Sequence, residues 1–180
     1  MSVRKVCILL AMSLLFAQAV PSQTRASLSV VPEKVANAEF PALDGSQAIR
    51  LSAYRPRVVV VALWASWCPA CLMAMKRLDE LSEGFSLNGV EVVGLTIEDP
   101  ASGSENVRSF VRTYGTGFKI GWIGTEIARA LTEEDAIPQI FVITGEGLIV
   151  SRIVGWHPDK SPKLLRKVVQ QARRNPPVMQ

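Results

Sequence analysis

A chain of 180 residues, 48% hydrophobic and 20% charged, can bury one sizeable core and has no room for a second domain. Its 20 Lys and Arg against 16 Asp and Glu leave a formal charge of +4, a modest excess that carries no nucleic-acid signature. Three cysteines and a single histidine, His157, are too few for a disulfide framework, and two Cys with one His do not make a zinc site.

The first segment holds Arg4 and Lys5, the apolar run Val6 to Phe16, and the small-x-small triplet Ala17-Gln18-Ala19. This is the layout of a secretory signal cleaved after Ala19, so residues 1–19 read as a signal peptide, with an uncleaved anchor as the alternative. The apolar stretch is shorter than the roughly 20 residues a spanning helix needs. Cleavage removes Cys7, Arg4 and Lys5, which halves the net charge and leaves Cys68 and Cys71 as the only thiols. The remaining excess lies in Lys160, Lys163, Arg166, Lys167, Arg173 and Arg174. These read as a solvated helix face and tail, with docking on an acidic partner or a membrane surface as the alternative.

Residues 20–35 are polar and unperiodic and predict a flexible lead. Short alternating segments, Glu39 to Leu43 and Gln47 to Leu51, flank Asp44-Gly45-Ser46 and predict an N-terminal hairpin. Val58 to Trp64 is apolar on every face, as a central strand covered on both sides must be. Pro69 suits the first position of a helix whose stripe is Leu72, Met75, Leu78 and Leu81 up to Gly84, with Met73 and Met75 read as core packing. Val90 to Ile97 is a second strand, after the turn Asn88-Gly89, and Glu98-Asp99 reads as a solvated loop, with a place lining the substrate groove as the alternative. A helix follows over Glu105 to Tyr114, capped by Ser104 and stopped at Gly115. Phe118 to Ile123 is a short extended piece, and Glu126 to Leu131 one or two helical turns. Gln139 to Thr144 and Leu148 to Val154 flank Gly145-Glu146-Gly147, a strong hairpin signal. The last helix starts near Ser161-Pro162 and runs to about Arg174, with Leu164, Leu165, Val168 and Val169 inward, before Asn175-Pro176-Pro177 ends it. The folded domain therefore spans 36–175, with 176–180 as a tail. The alternation predicts an α/β domain, a mixed central sheet with helices on both faces and an extra N-terminal hairpin.

The chemistry sits in Trp67-Cys68-Pro69-Ala70-Cys71, directly after the central strand. Two thiols at this spacing close a small ring at the start of a helix, where one attacks a disulfide and the other resolves the mixed intermediate. A plain stabilising bridge is the bland alternative, but so short a loop constrains the unfolded chain little.

Leu63-Trp64-Ala65-Ser66-Trp67-Cys68-Pro69-Ala70-Cys71, with Ile137-Pro138-Gln139 downstream, resembles the thioredoxin superfamily. The secreted N-terminal hairpin, the Val92-Val93-Gly94-Leu95 strand and the Gly-x-Gly hairpin are most similar to its TlpA-like branch of bacterial disulfide reductases, which includes the cytochrome c maturation thioredoxins. The resemblance covers roughly Phe40 to Val169 and implies a thioredoxin-like fold. It implies Cys68 as the attacking nucleophile, its sulfur exposed and its thiolate favoured by the helix N-terminus, and Cys71 as the shielded resolving thiol. It further implies a substrate-binding surface of Trp67, Pro69, Ile137 and Pro138. Pro138 is then the cis-proline that keeps metals off the thiols, and the Ile137 backbone pairs with an extended client. Trp64 reads as core and His157 as a surface loop residue.

Two positions depart from the pattern. Thioredoxins commonly carry a buried acid where this chain has Ala62, and several TlpA-like reductases use a glutamate where it has Ala74. With neither acid, Cys71 lacks the usual proton acceptor, and release of the client becomes slower and more pH-dependent.

The implied function is a periplasmic thiol-disulfide oxidoreductase that mainly reduces protein disulfides. It would need no cofactor beyond the redox-active Cys68–Cys71 pair and no metal. Its partners would be disulfide-containing client proteins and a membrane thiol relay that donates electrons. No nucleic acid is involved, and the membrane only if the leader is retained. The alternatives are an oxidase running the same pair in reverse, and a non-catalytic binding module such as a metallochaperone or a client chaperone. Peroxidase chemistry wants a threonine three residues before the reactive cysteine, where this chain has Ala65.

Overall fold

The computed structural model describes residues 29–174. The predicted signal peptide 1–19, most of the predicted lead and the tail 176–180 lie outside the described residues.

The strands are β1 (Ser29–Val30), β2 (Val58–Trp64), β3 (Val90–Thr96), β4 (Lys119–Trp122), β5 (Gln139–Ile143) and β6 (Leu148–Val154). The α-helices are α1 (Glu33–Ala36), α2 (Pro69–Ser86), α3 (Pro100–Tyr114), α4 (Thr125–Leu131) and α5 (Ser161–Arg174), with a 3-10 turn at Leu51–Tyr54. The six strands form one mixed sheet in the order β1-β6-β5-β2-β3-β4. β2, β3 and β4 run parallel, and β5 lies antiparallel to β2, β6 to β5 and β1 to β6.

β2 is central because all seven of its residues are buried. Val58, Val60, Ala62 and Trp64 point into the core beneath α2, α3 and α5, while Val59, Val61 and Leu63 point into the core beneath α1 and α4. Each fully buried Val or Leu contributes about 1.5–3 kcal/mol, so this strand anchors both layers. Gly94 on β3 lets α2 settle onto the sheet, since a Cβ there would lie 2.6 Å from Ile120 Cδ1 and 3.0 Å from Met75 Cε.

Several expectations need correction. Residues 29–35 are not a flexible lead: β1 pairs with β6, and Val35 is fully buried. Val31 and Val35 find partners only on the finished sheet, so no local pattern marks them. The two arms of the N-terminal hairpin do meet, antiparallel, at the bridge Phe40–Ile49, with both backbone hydrogen bonds at 2.8 Å. Its first arm then crosses to β4: Leu43 N–H donates to Ile120 O at 2.9 Å and Trp122 N–H to Pro41 O at 3.1 Å. Gly121 permits this approach, because a Cβ would lie 3.2 Å from Pro41 O. α3 begins at Pro100, not Glu105, and its cap is Asp99, whose carboxylate accepts from Ala101 N–H at 2.7 Å, not Ser104. Met73 and Leu164, read as core, are 46% and 45% exposed. Among the described residues, no helix is long and apolar enough to cross a membrane.

Candidate active site

The β2-to-α2 junction delivers two sulfurs to the end of the sheet where β2 and β3 finish. Cys68 is the N-cap of α2, with extended backbone (φ −97°, ψ 109°), and Pro69 occupies the first turn, where its missing N–H costs nothing. Cys68 and Cys71 are joined as a disulfide with Cα atoms 5.2 Å apart. The Cys71 N–H donates to Cys68 Sγ at 3.1 Å, so the outer sulfur fills the place an oxygen cap fills in other helices.

The two sulfurs are unequal. Cys71 is fully buried beneath α2, whereas Cys68 keeps 7% of its surface. The oxidised pair is thus more enclosed than the expected exposed sulfur, because the ring folds Cys68 back over the helix end. Trp67, 65% exposed, and Pro69, also exposed, flank the remaining opening. Trp64 is fully buried, its ring 4.7 Å from Phe110 between centroids, and its Nε1–H finds no partner.

The opposite wall comes from the loop before β5. The Ile137–Pro138 peptide bond is cis, and Ile137 O lies 3.8 Å from Cys68 Sγ. Pro138 O accepts from Gly155 N–H at 2.8 Å, which ties the loop to the end of β6. Gln139 holds it from below: its amide donates to Ala136 O at 2.7 Å and Glu134 O at 2.9 Å, and its oxygen accepts from Arg152 Nε at 2.8 Å. Sequence reasoning missed this role, although a glutamine opening an otherwise apolar buried strand is a signal that the side chain must be satisfied locally.

Glu98, expected in a solvated loop, is the second residue the structure places differently. Far from a solvated loop, it is half-buried and its carboxylate accepts from the Ser66 N–H at 2.6 Å and the Ser66 hydroxyl at 2.9 Å. The flush register of β2 on β3, Trp64 opposite Thr96, places Glu98 across from Ser66.

His157 sits exposed in the turn before α5. Among the described residues no group of three or more His, Cys, Asp and Glu side chains gathers as a metal site would. A cavity of about 730 Å³ lies between the C-terminal halves of α2 and α3, against Val90, Val92 and Ile120, and neither cysteine lines it.

The AhpC/TSA family model matches residues 31–152. ResA, a thiol-disulfide oxidoreductase of Bacillus thuringiensis (strain Al Hakam), is 26% identical over 113 residues, covering 63% of this chain and 63% of that protein. The chain thus spans under two thirds of the length of the curated relatives it matches. ResA of Geobacillus thermodenitrificans (strain NG80-2) is 26% identical over 106 residues, or 59% of each chain. Among solved structures, a Chlorobium tepidum protein provisionally described as the thiol:disulfide interchange protein DsbE has a TM-score of 0.70 at 19% identity, over 81% of this chain and 96% of that one. A secreted Mycobacterium tuberculosis disulfide oxidoreductase homologous to E. coli DsbE has a TM-score of 0.62 at 16% identity, over 77% and 98%. At such identities the structural likeness establishes the fold, which is thioredoxin-like.

Proposed function

The chain belongs to the AhpC/TSA family, and on that premise we propose that it is an exported, periplasmic thiol-disulfide oxidoreductase that mainly reduces protein disulfides. The observation that carries the reading is the asymmetric Cys68–Cys71 pair at the head of α2, in which Cys68 keeps a small opening beside Trp67 and Pro69 and Cys71 keeps none.

In the reduced protein the Cys68 thiolate attacks one sulfur of a client disulfide. A Cys68–client bond forms, and the other client sulfur leaves as a thiolate that takes up a proton. Cys71, deprotonated, then attacks Cys68 Sγ, forms the internal disulfide and expels the second client thiolate. Two electrons have passed to the client, and a thiol relay at the membrane supplies two more, which reopen the Cys68–Cys71 disulfide. The Cys71 N–H and the N-terminus of α2 favour the thiolate at Cys68 over the free cysteine pKa of about 8.5. Ile137 O, beside that sulfur, and the exposed Trp67 offer an edge and a platform for the client backbone. Ala65 is fully buried and brings no hydroxyl to the sulfur, which disfavours peroxide as the substrate.

Cys71→Ala is expected to accumulate covalent client complexes through Cys68, seen as bands that dithiothreitol removes; a pure binding module forms none. Equilibration with glutathione sets the direction, a value near about −270 mV marking a reductant and near about −120 mV an oxidant.

A further inference from the structure

Ser66 stands two residues before Cys68, on the short link between β2 and α2. Its N–H and hydroxyl donate to the two different oxygens of Glu98, at 2.6 Å and 2.9 Å. The Thr96 hydroxyl donates to the first of these oxygens at 3.2 Å and accepts from the Glu98 N–H at 3.3 Å. One carboxylate therefore clasps the ends of the two parallel strands that point at the dithiol. Among the described residues, no Lys or Arg forms an ion pair with it. Its neighbour Asp99 is turned away to cap α3. The fold also reserves space for Glu98: a Cβ on Gly103 would lie 2.9 Å from Glu98 Cβ and 3.2 Å from its Oε1.

We propose that Glu98 is a positioning residue for the dithiol. Its carboxylate fixes the Ser66-Trp67-Cys68 segment, and its uncompensated charge holds the Cys68–Cys71 pair toward the reducing end. The inference rests on the redox reading above. Two residues of chain place the carboxylate on the order of 10 Å from the Cys68 sulfur. At that range a fixed negative charge disfavours the thiolate. Disfavouring the thiolate raises the free energy of the reduced form, which makes the dithiol a better electron donor. Glu98 touches neither sulfur, so it acts through the segment it holds and through its field.

The test uses the full-length protein and two readings: the ultraviolet titration of the Cys68 thiolate, and the equilibrium of the dithiol with glutathione. Glu98→Gln keeps an acceptor for Ser66 and removes the charge. Its thiol midpoint should fall by about one unit, and its equilibrium should shift about tenfold toward the dithiol. Glu98→Asp keeps the charge on a shorter stem, so its midpoint should stay near the wild type while disulfide exchange with insulin slows. Gly103→Ala crowds the carboxylate without touching the site and should slow exchange in the same way. If Glu98→Gln fails to fold, the Asp and Gly103→Ala variants still decide: exchange at the wild-type rate in both overturns the clasp. A folded Glu98→Gln protein that titrates and equilibrates as the wild type does overturns the electrostatic role. Should the wild type itself exchange no disulfides, the redox reading fails instead, while the thiolate titrations still report on Glu98.

Discussion

Cys71 has no surface and Cys68 very little, so on the proposed function exchange would begin at the one sulfur that opens beside Trp67, Pro69 and Ile137 O. The resolving step depends on how Cys71 loses its proton, and the residue one turn on, Ala74, is fully buried and has nothing to accept it. Ala74→Glu would place a carboxylate there. Turnover with insulin is expected to extend to lower pH, at a cost of about 3 kcal/mol for the buried charge; an unchanged pH profile would show that Cys71 needs no such base. A second titrating group is structural. Burial, and next the negative charge of Glu91, raise the Tyr54 phenol above its ordinary 10.0, with Arg57 partly opposing. Below that value the phenol is neutral in both folded and unfolded chains and costs nothing. As pH rises past it the unfolded chain ionises first, so stability is lost until the folded phenol ionises too. Tyr54→Phe should abolish that loss, read from urea melts between about pH 8 and pH 11.

Among the elements, those whose pattern is local and strong could be read directly. β2 declares itself by seven consecutive buried apolar residues, α2 by Pro69 and its stripe, and the β5–β6 hairpin by Gly145-Glu146-Gly147. The start of α3 could not be read so, because Ser102, Gly103 and Ser104 are poor helix formers and hold helix only under the Asp99-Pro100 cap. β1 and α1 were equally hidden, since Val31 and Val35 are apolar only to some purpose once the sheet exists. In the site, the cysteines and Pro138 were legible from spacing and resemblance. Glu98 and Gln139 were not, because their partners depend on strand register and on a loop's path. The hairpin makes a sharp prediction of its own. A Cβ at Gly145 would lie 2.0 Å from Pro56 O, a backbone atom that cannot swing aside. Gly145→Ala should therefore lower the unfolding free energy by at least about 3 kcal/mol in urea denaturation, whereas exposed Leu87→Ala serves as the near-neutral control.

For the molecule as a whole, opening and closing the dithiol should change little beyond the sulfurs. The core lies in two layers on either side of the sheet; Cys68 and Cys71 pack at the edge of one, among many larger apolar side chains, and the other holds neither. A loop so short restricts the unfolded chain by only about 2 kcal/mol. The reduced protein is therefore expected to stay folded, with its urea midpoint lowered by no more than that amount allows. Collapse on reduction would mean that the pair is a structural staple. The size of this difference also bears on direction: whatever the bond adds to the fold is a bias toward the disulfide, hence toward giving electrons away.

The bonds that Pro41 and Leu43 make along β4 carry a further consequence. A sheet's outermost strand is a template on which stray chains grow, and the proposed function would bring part-unfolded chains to it. Here part of one border is already occupied by the molecule's own backbone, through the two bonds to Ile120 and Trp122 of β4. On the proposed function, a client that reached β4 would find part of its ladder already taken and would be the less easily recruited there into fibres.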